Sequence, residues 1–224
     1  MSPSNTSPCR LVILVSGRGS NMQTIVQTIR QQDLAATVCA VIANTPTAAA
    51  LDWARDEAIE AKLVPHRDYP TREAFDAALG DVIDAYDPHY VLLAGFMRVL
   101  TPAFVERFNG RLINIHPSLL PAFPGLRTHQ QALASGVQWH GCTVHFVTPM
   151  LDHGPIVAQG AVPVLSTDTE QSLADRVLQL EHTVYANVVR WLVEGRVTLD
   201  AVQNVQVAGA VSRSFLLSSD DGGI

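Results

Sequence analysis

Five short apolar runs, each separated from the next by a segment of different period, occupy the first half of the chain and leave few folds open to it. Leu11–Val15 is apolar throughout and ends in Ser16-Gly17-Arg18-Gly19-Ser20-Asn21. The next stretch, to about Arg30, repeats apolar residues at helical spacing through Met22, Ile25, Val26 and Ile29. That pattern is strand, tight turn, helix. It recurs: Thr37–Ala43 reads as a second buried strand, Thr47 to Ile59 as an Ala-rich helix, and Ala61–Pro65 as a third strand. Thr71–Ala85 then reads as a helix capped by Thr71, and His89–Ala94 as a fourth strand, apolar on both faces. Pro102–Phe108 is a short helix and Arg111–Ile115 a fifth strand. Strands alternating with helices at this spacing predict an α/β chain with a doubly wound, mostly parallel sheet, whose ligands lie beyond the carboxyl ends of the strands.

The character changes after Pro117. A Pro-rich loop (PSLLPAFPG) leads to a short helix at Thr128–Ser135. Two β patterns follow, Gly141–Val147 and Pro155–Val162, suited to an antiparallel C-terminal extension, and a long helix from Asp168 to about Val193 closes the fold. With 224 residues, 47% of them hydrophobic, a single domain is the expectation. Its span is read as 10–205, after a polar, Pro/Ser-rich leader (1–9) expected to be disordered and before a loosely attached tail (206–224). The apolar run after the leader is too short for a signal-peptide core, and no run reaches the length of a membrane span.

Charge and cysteine usage narrow the class further. A formal net charge of −6 argues against a broad basic surface for duplex DNA or tRNA, so no nucleic-acid partner is expected, while a local pocket for a small anion stays open. Cys9, Cys39 and Cys142 are odd in number and widely spaced, which indicates neither a disulfide framework nor a zinc motif. They read as reduced thiols in a cytoplasmic protein.

Three features carry chemistry. The loop Ser16–Asn21 puts glycines and a hydroxyl at a strand-to-helix turn, where free backbone N–H groups and the helix dipole favour an anion. It is not a Walker loop, and Met22 stands where a dinucleotide fingerprint has its third glycine; Ala43-Asn44 also lacks the acidic residue that would hold a ribose diol. Taken alone, it is equally a tight βα turn without a ligand. Asn114 and His116 lie two apart at a strand end, so both side chains leave on one face, and Pro117 restrains His116 to extended geometry. A single strand-end histidine is more often a hydrogen-bonded structural residue. Asp152, before His153-Gly154, ordinarily marks a turn.

What changes these readings is their joint occurrence: Asn114-Ile-His116-Pro-Ser-Leu-Leu-Pro121, then Leu151-Asp152-x-Gly154-Pro155, with His145 on the strand between. Together they resemble the folate-dependent formyltransferase family over roughly residues 10–200. The resemblance implies a Rossmann-like formyltransferase fold, with a phosphate-binding half (10–100) and a folate and catalytic half (101–205). It implies transfer of a formyl group from 10-formyltetrahydrofolate, as co-substrate, to the amine of glycinamide ribonucleotide in purine synthesis. It places Asn114, His116 and Asp152 around the formyl carbon, and Gly19, Ser20 and Asn21 on the acceptor's phosphate, with Glu181 on its ribose. Arg72, Met97, Arg98, Val99, Leu100, Asn114 and the loop Thr148, Pro149, Met150, Leu151, Asp152 fall on the folate. Leu178 departs from the family, which often has a polar or basic side chain there, near the phosphate. His129, His140 and His145 have no metal-ligand spacing, and the implied chemistry calls for no metal.

Within the same family, a tRNA formyltransferase is expected to add a β-barrel domain and a basic surface, and a formyltetrahydrofolate hydrolase an N-terminal regulatory domain. A formyltransferase acting on an amino-sugar nucleotide would share the reactive centre and differ at the glycine loop and Glu181. A nucleotide-binding module without catalysis is disfavoured by the Asn44 position and the intact Asn-His-Asp set. Small-molecule substrates, no membrane, and either a monomer or a homodimer complete the expectation.

Overall fold

Leu11 to Val15 are each 0% exposed, which is why this run can only be a strand covered on both faces. The computed structural model describes residues 7–200 and 204–217. These fall into two compact units divided between Leu112 and Ile113.

In the first unit β1 (Cys9–Val15) is flanked by β2 (Ala36–Ala43) and β4 (Tyr90–Leu93), with β3 (Ala61–Leu63) beyond β2, giving the order β4-β1-β2-β3. Every pairing among them is parallel. The helices are α1 (Ser20–Gln31), α2 (Ala49–Asp56), α3 (Arg72–Asp84) and α4 (Pro102–Arg107). They bury the residues their periods select, among them Met22 and Ile25 of α1 and Phe75, Leu79 and Ile83 of α3, each 0% exposed. Every such side chain contributes roughly 1.5–3 kcal/mol of transfer free energy. The Thr71 hydroxyl accepts the Ala74 N–H at 3.1 Å and so caps α3 as expected.

Boundaries moved where local chemistry outweighs the pattern. α2 begins at Ala49 and ends at Asp56 instead of spanning Thr47 to Ile59, because Ala58 takes a left-handed backbone (φ +57°). The third strand stops at Leu63, and β1 starts at Cys9, inside the expected leader; residues 1–6 of that leader lie outside the described residues.

The second unit is built on β5 (Leu112–His116), β6 (Trp139–Phe146) and β7 (Ile156–Pro163), antiparallel to one another, with α5 (Thr128–Ser135) and the 24-residue α6 (Glu170–Val193). A capping box between Thr169 and Ser172 starts α6 two positions after the expected Asp168. α6 lies close on β7 because Gly160 has no side chain: a Cβ there would come within 2.7 Å of Leu180 and 2.8 Å of Val184. A small hairpin of β8 (Val197–Leu199) and β9 (Val205–Val207) follows. Then β10 (Ser214–Leu216) pairs in parallel with β7. The tail expected to be loose after Val207 therefore includes an ordered edge strand. Phe215 rests on Trp191 of α6 with ring centroids 6.1 Å apart, and Arg213 donates to the Ile156 carbonyl at 2.9 Å. Residues 218–224 of that expected tail lie outside the described residues. The chain is thus α/β and mostly parallel, with an antiparallel extension and a long closing helix, as the pattern predicts.

Candidate active site

β5 runs one residue further than its apolar pattern, to His116, so His116 as well as Asn114 sits within the strand. The antiparallel register with β6 places His145 opposite Asn114 and Thr143 opposite His116. Cross-strand neighbours on one face lie about 5 Å apart at Cβ, within reach of polar side chains.

His145 is 1% exposed. Burial lowers its pKa below the ordinary histidine value, so it is neutral near pH 7, and its Nδ1 lies 2.9 Å from the Phe146 carbonyl. A carbonyl only accepts, which puts the single proton on Nδ1 and leaves Nε2 as an acceptor. Asn114 Nδ2 sits 3.2 Å from that Nε2 and donates to it. The Asn114 amide is thereby turned one way, with its second N–H and its carbonyl oxygen left for other use.

Both nitrogens of His116 face protein groups. Nε2 lies 3.0 Å from the Phe123 carbonyl and so carries a proton, while Nδ1 is 3.5 Å from Asp152 Oδ2, a looser approach. Asp152 Oδ2 also accepts the Gly125 N–H at 2.8 Å. The two side chains are 7% and 9% exposed, so the pair is shielded from solvent screening. Asp152 is held with φ at +51°, a left-handed geometry that Asp tolerates better than most residues. The loop behind it admits only glycine at position 154, where a Cβ would fall 1.7 Å from the Phe146 carbonyl oxygen.

The loop carrying the Phe123 and Gly125 backbone groups is anchored in turn. Thr143, fully buried, donates to the Ser118 carbonyl at 2.7 Å and accepts from the Leu120 N–H at 3.0 Å. Gln159 of β7 donates both to Thr143 Oγ1 at 3.0 Å and to the Leu120 carbonyl at 2.9 Å. The Phe123 ring stands edge-on to His140, whose Nε2 lies 3.1 Å from His129 Nδ1. Burial, then the neighbouring His129 and His116, push the His140 pKa down to about 4.

The structure therefore gathers Asn114, His116 and Asp152 in one unit. The Thr148–Leu151 loop leads directly into Asp152: Thr148 Oγ1 donates to the Met150 carbonyl at 3.2 Å, and the Met150 and Leu151 side chains are exposed. Glu181 is buried on α6. The first unit carries the other predicted residues. Gly19, with φ at +79°, ends the glycine loop, and Ser20 and Asn21 open α1. Arg72 opens α3 beside Glu73, and Arg98 lies over the Phe75 ring, 5.6 Å from its centroid. Met97 and Val99 expose their side chains, and Leu100 precedes the Thr101 cap of α4. Sequence reasoning missed His145 and the backbone groups of Phe123 and Gly125 as partners of the reactive set. The period of two along β6 marks His145 as facing the same way as Thr143, but only the register brings it to Asn114.

Comparison with known proteins decides the family: a formyl transferase domain model matches residues 9–189. The chain belongs to the formyl transferase family. Among its relatives, the phosphoribosylglycinamide formyltransferase of Escherichia coli is 46% identical over 189 residues, 84% of this chain and 89% of that protein. A human trifunctional purine biosynthetic protein is 41% identical over 190 residues, which is 85% of this chain and 19% of that much longer protein. The solved phosphoribosylglycinamide formyltransferase from Coxiella burnetii superposes with a TM-score of 0.86 at 42% identity, covering 93% of this chain and 99% of that one. A formyltetrahydrofolate deformylase from Burkholderia mallei also superposes, with a TM-score of 0.80 at 28% identity, covering 89% of this chain and 70% of that one.

Proposed function

We propose that the protein transfers the formyl group of 10-formyltetrahydrofolate to the amine of 5′-phosphoribosylglycinamide, giving the formylated ribonucleotide of purine biosynthesis. The observation that carries the reading is the convergence of Asn114, His116 and Asp152 in a chain of this family. The acceptor rests on the 46% identity to the Escherichia coli enzyme, together with Gly19-Ser20-Asn21 and Glu181.

The chemistry follows from the hydrogen bonds. An uncharged amine attacks the formyl carbon, so negative charge grows on the formyl oxygen and positive charge on the attacking nitrogen. The Asn114 N–H not used by His145 is a neutral donor for that oxygen. On His116, Nε2 is committed to Phe123, so a protonated ring offers Nδ1–H as a charged donor, shared between Asp152 at 3.5 Å and the incoming oxygen. As the C–N bond forms, Asp152 takes the amine proton, directly or through a water. As the bond to N10 breaks, that proton passes to N10. No metal enters this scheme. Among the described residues Cys9, Cys39 and Cys142 are free thiols, and no helix is long and apolar enough to cross a membrane.

The test is a spectrophotometric comparison of acceptors. With 10-formyltetrahydrofolate supplied, glycinamide ribonucleotide is expected to turn over, an amino-sugar nucleotide is not, and water alone is negligible. Turnover with water alone moves the assignment to the hydrolase branch, and preference for the amino sugar moves it to that acceptor.

A further inference from the structure

Ser16 ends β1 and opens the glycine loop, and all four of its polar functions are in use. Its N–H donates to the Gly95 carbonyl at 3.1 Å, and its carbonyl accepts from the Thr45 hydroxyl at 3.0 Å. Its own hydroxyl donates to Asn44 Oδ1 at 2.7 Å and accepts the Met97 N–H at 2.8 Å. One small side chain thus ties together the segments that follow three neighbouring strands, β1, β2 and β4. The next residue continues the link, the Gly17 carbonyl accepting the Ala50 N–H at 3.2 Å.

The stretch following β4 is pinned at both ends by side chains. Ser16 holds Met97, and Asp76, 3% exposed, accepts the Thr101 N–H at 2.6 Å. Between these anchors Met97 and Val99 hold their side chains out to solvent at 70% and 54% exposure. A segment with Met97 and Val99 open to solvent and a fixed backbone is suited to reading a planar heterocycle through its main-chain groups. Its placement depends on the two anchors, with Arg98 over the Phe75 ring between them. Asn44, 3% exposed, is itself held: its carbonyl accepts the His66 N–H at 3.2 Å. The His66 ring sits edge-on to Phe75, over which Arg98 lies.

We propose that Ser16 is a positioning residue for both substrates, its hydroxyl holding the donor-binding stretch at Met97 in register with the phosphate loop that begins at Gly17. This rests on the assignment, under the proposed function, of Met97–Leu100 to the folate and Gly19–Asn21 to the phosphate. Loss of the hydroxyl frees the Met97 N–H and leaves Asn44 Oδ1 buried without its donor, so both loops shift although neither loses a residue that touches a ligand.

Initial rates over a matrix of 10-formyltetrahydrofolate and glycinamide ribonucleotide concentrations test this in wild type, Ser16→Ala, Ser16→Thr and Gly19→Ala. Ser16→Ala is expected to raise KM about 10-fold for each substrate while kcat falls by less than about threefold, and Ser16→Thr to restore both. A loss of folded protein lowers kcat through the active fraction and leaves both KM values in place, so the split separates positioning from instability. An unchanged donor KM in Ser16→Ala overturns the proposal. Gly19→Ala separates the proposal from the reading beneath it. There a Cβ meets Ala50 at 2.7 Å in a left-handed backbone, so the acceptor KM alone should rise. An unmoved acceptor KM in Gly19→Ala removes the phosphate assignment, and the two-substrate role with it, whatever Ser16→Ala does to the donor.

Discussion

The loops of the first unit and the reactive set of the second solve opposite problems. In the first unit the side chains at the centre of the proposed donor stretch face solvent, and it is the backbone that is held, by Ser16 at one end and Asp76 at the other. In the second unit the side chains themselves are held. Asn114 is turned by His145, His116 is fixed between Phe123 and Asp152, and Asp152 is fastened by Gly125. Binding a large planar ligand needs an open surface of fixed shape. Stabilising a charge that appears only in the transition state needs dipoles and donors already oriented away from water, because reorienting them during the reaction costs what the site is meant to supply. The comparison therefore predicts that small changes in the second unit act on turnover and small changes in the first act on binding.

The largest break is expected at Asp152. Asp152→Asn keeps the shape and the Gly125 hydrogen bond but removes the charge and the proton acceptor. Turnover should fall at least ~100-fold, about 2.7 kcal/mol of barrier, with both KM values within a few-fold and the thermal midpoint preserved. Near-wild-type turnover would falsify the proton-transfer role.

Next comes His145, which no substrate need touch. In His145→Phe the Asn114 amide loses the acceptor that turns it, and kcat should drop by roughly 10-fold, while His145→Gln, which can offer an acceptor, should recover part of the loss. Equal kinetics for the two variants would show that the Asn114 orientation is set elsewhere.

A third test uses pH on stability instead of activity. Burial and nearby histidines hold the His140 pKa at about 4 against an ordinary value of 6.5. Between those values the unfolded chain takes up a proton that the folded one refuses. This contribution is therefore fully present above about pH 6.5 and is lost progressively as the pH falls toward 4. Urea midpoints measured across that window should decline on acidification, and less steeply in His140→Phe; parallel slopes in the two proteins would clear His140 of the effect.

The smallest effect belongs to the first unit. A Cβ at Gly17 meets nothing within 4 Å, so Gly17→Ala should leave stability within about 0.5 kcal/mol of wild type and both KM values nearly unchanged, beside the binding defect expected at Gly19. A binding defect at Gly17 as large as that at Gly19 would mean that the whole loop backbone, and not its left-handed corner, meets the ligand.

Much of this architecture was legible along the chain because the strands of the first unit are apolar on both faces and the helices keep a 3.6-residue period. Neither pattern depends on a distant partner. The strands that were missed, β8, β9 and β10, are three residues each, too short for a period to register, and β10 owes its position to pairing with β7 and to Phe215 meeting Trp191. The proposed reactive residues Asn114, His116 and Asp152 were legible as a set of motifs. Their partners were not, since Phe123 and Gly125 contribute backbone atoms that any residue type possesses, and His145 stood out as part of the motif set without any sign that it meets Asn114.

The α/β class, the order of elements in the first half, and the candidate set Asn114, His116 and Asp152 could all be read along the chain. All of these are local properties, a repeat or a short string of residue types. The tertiary structure decided how those side chains are used. The β5–β6 register brought His145 opposite Asn114, the Phe146 carbonyl fixed the His145 tautomer, the loop after Pro117 took one nitrogen of His116 and left the other to Asp152, and Ser16 was joined to residues far along the chain at Asn44 and Met97. A hydrogen bond is made between atoms in space, and the chain positions of its partners carry no mark of it until the fold brings them within 3 Å or so.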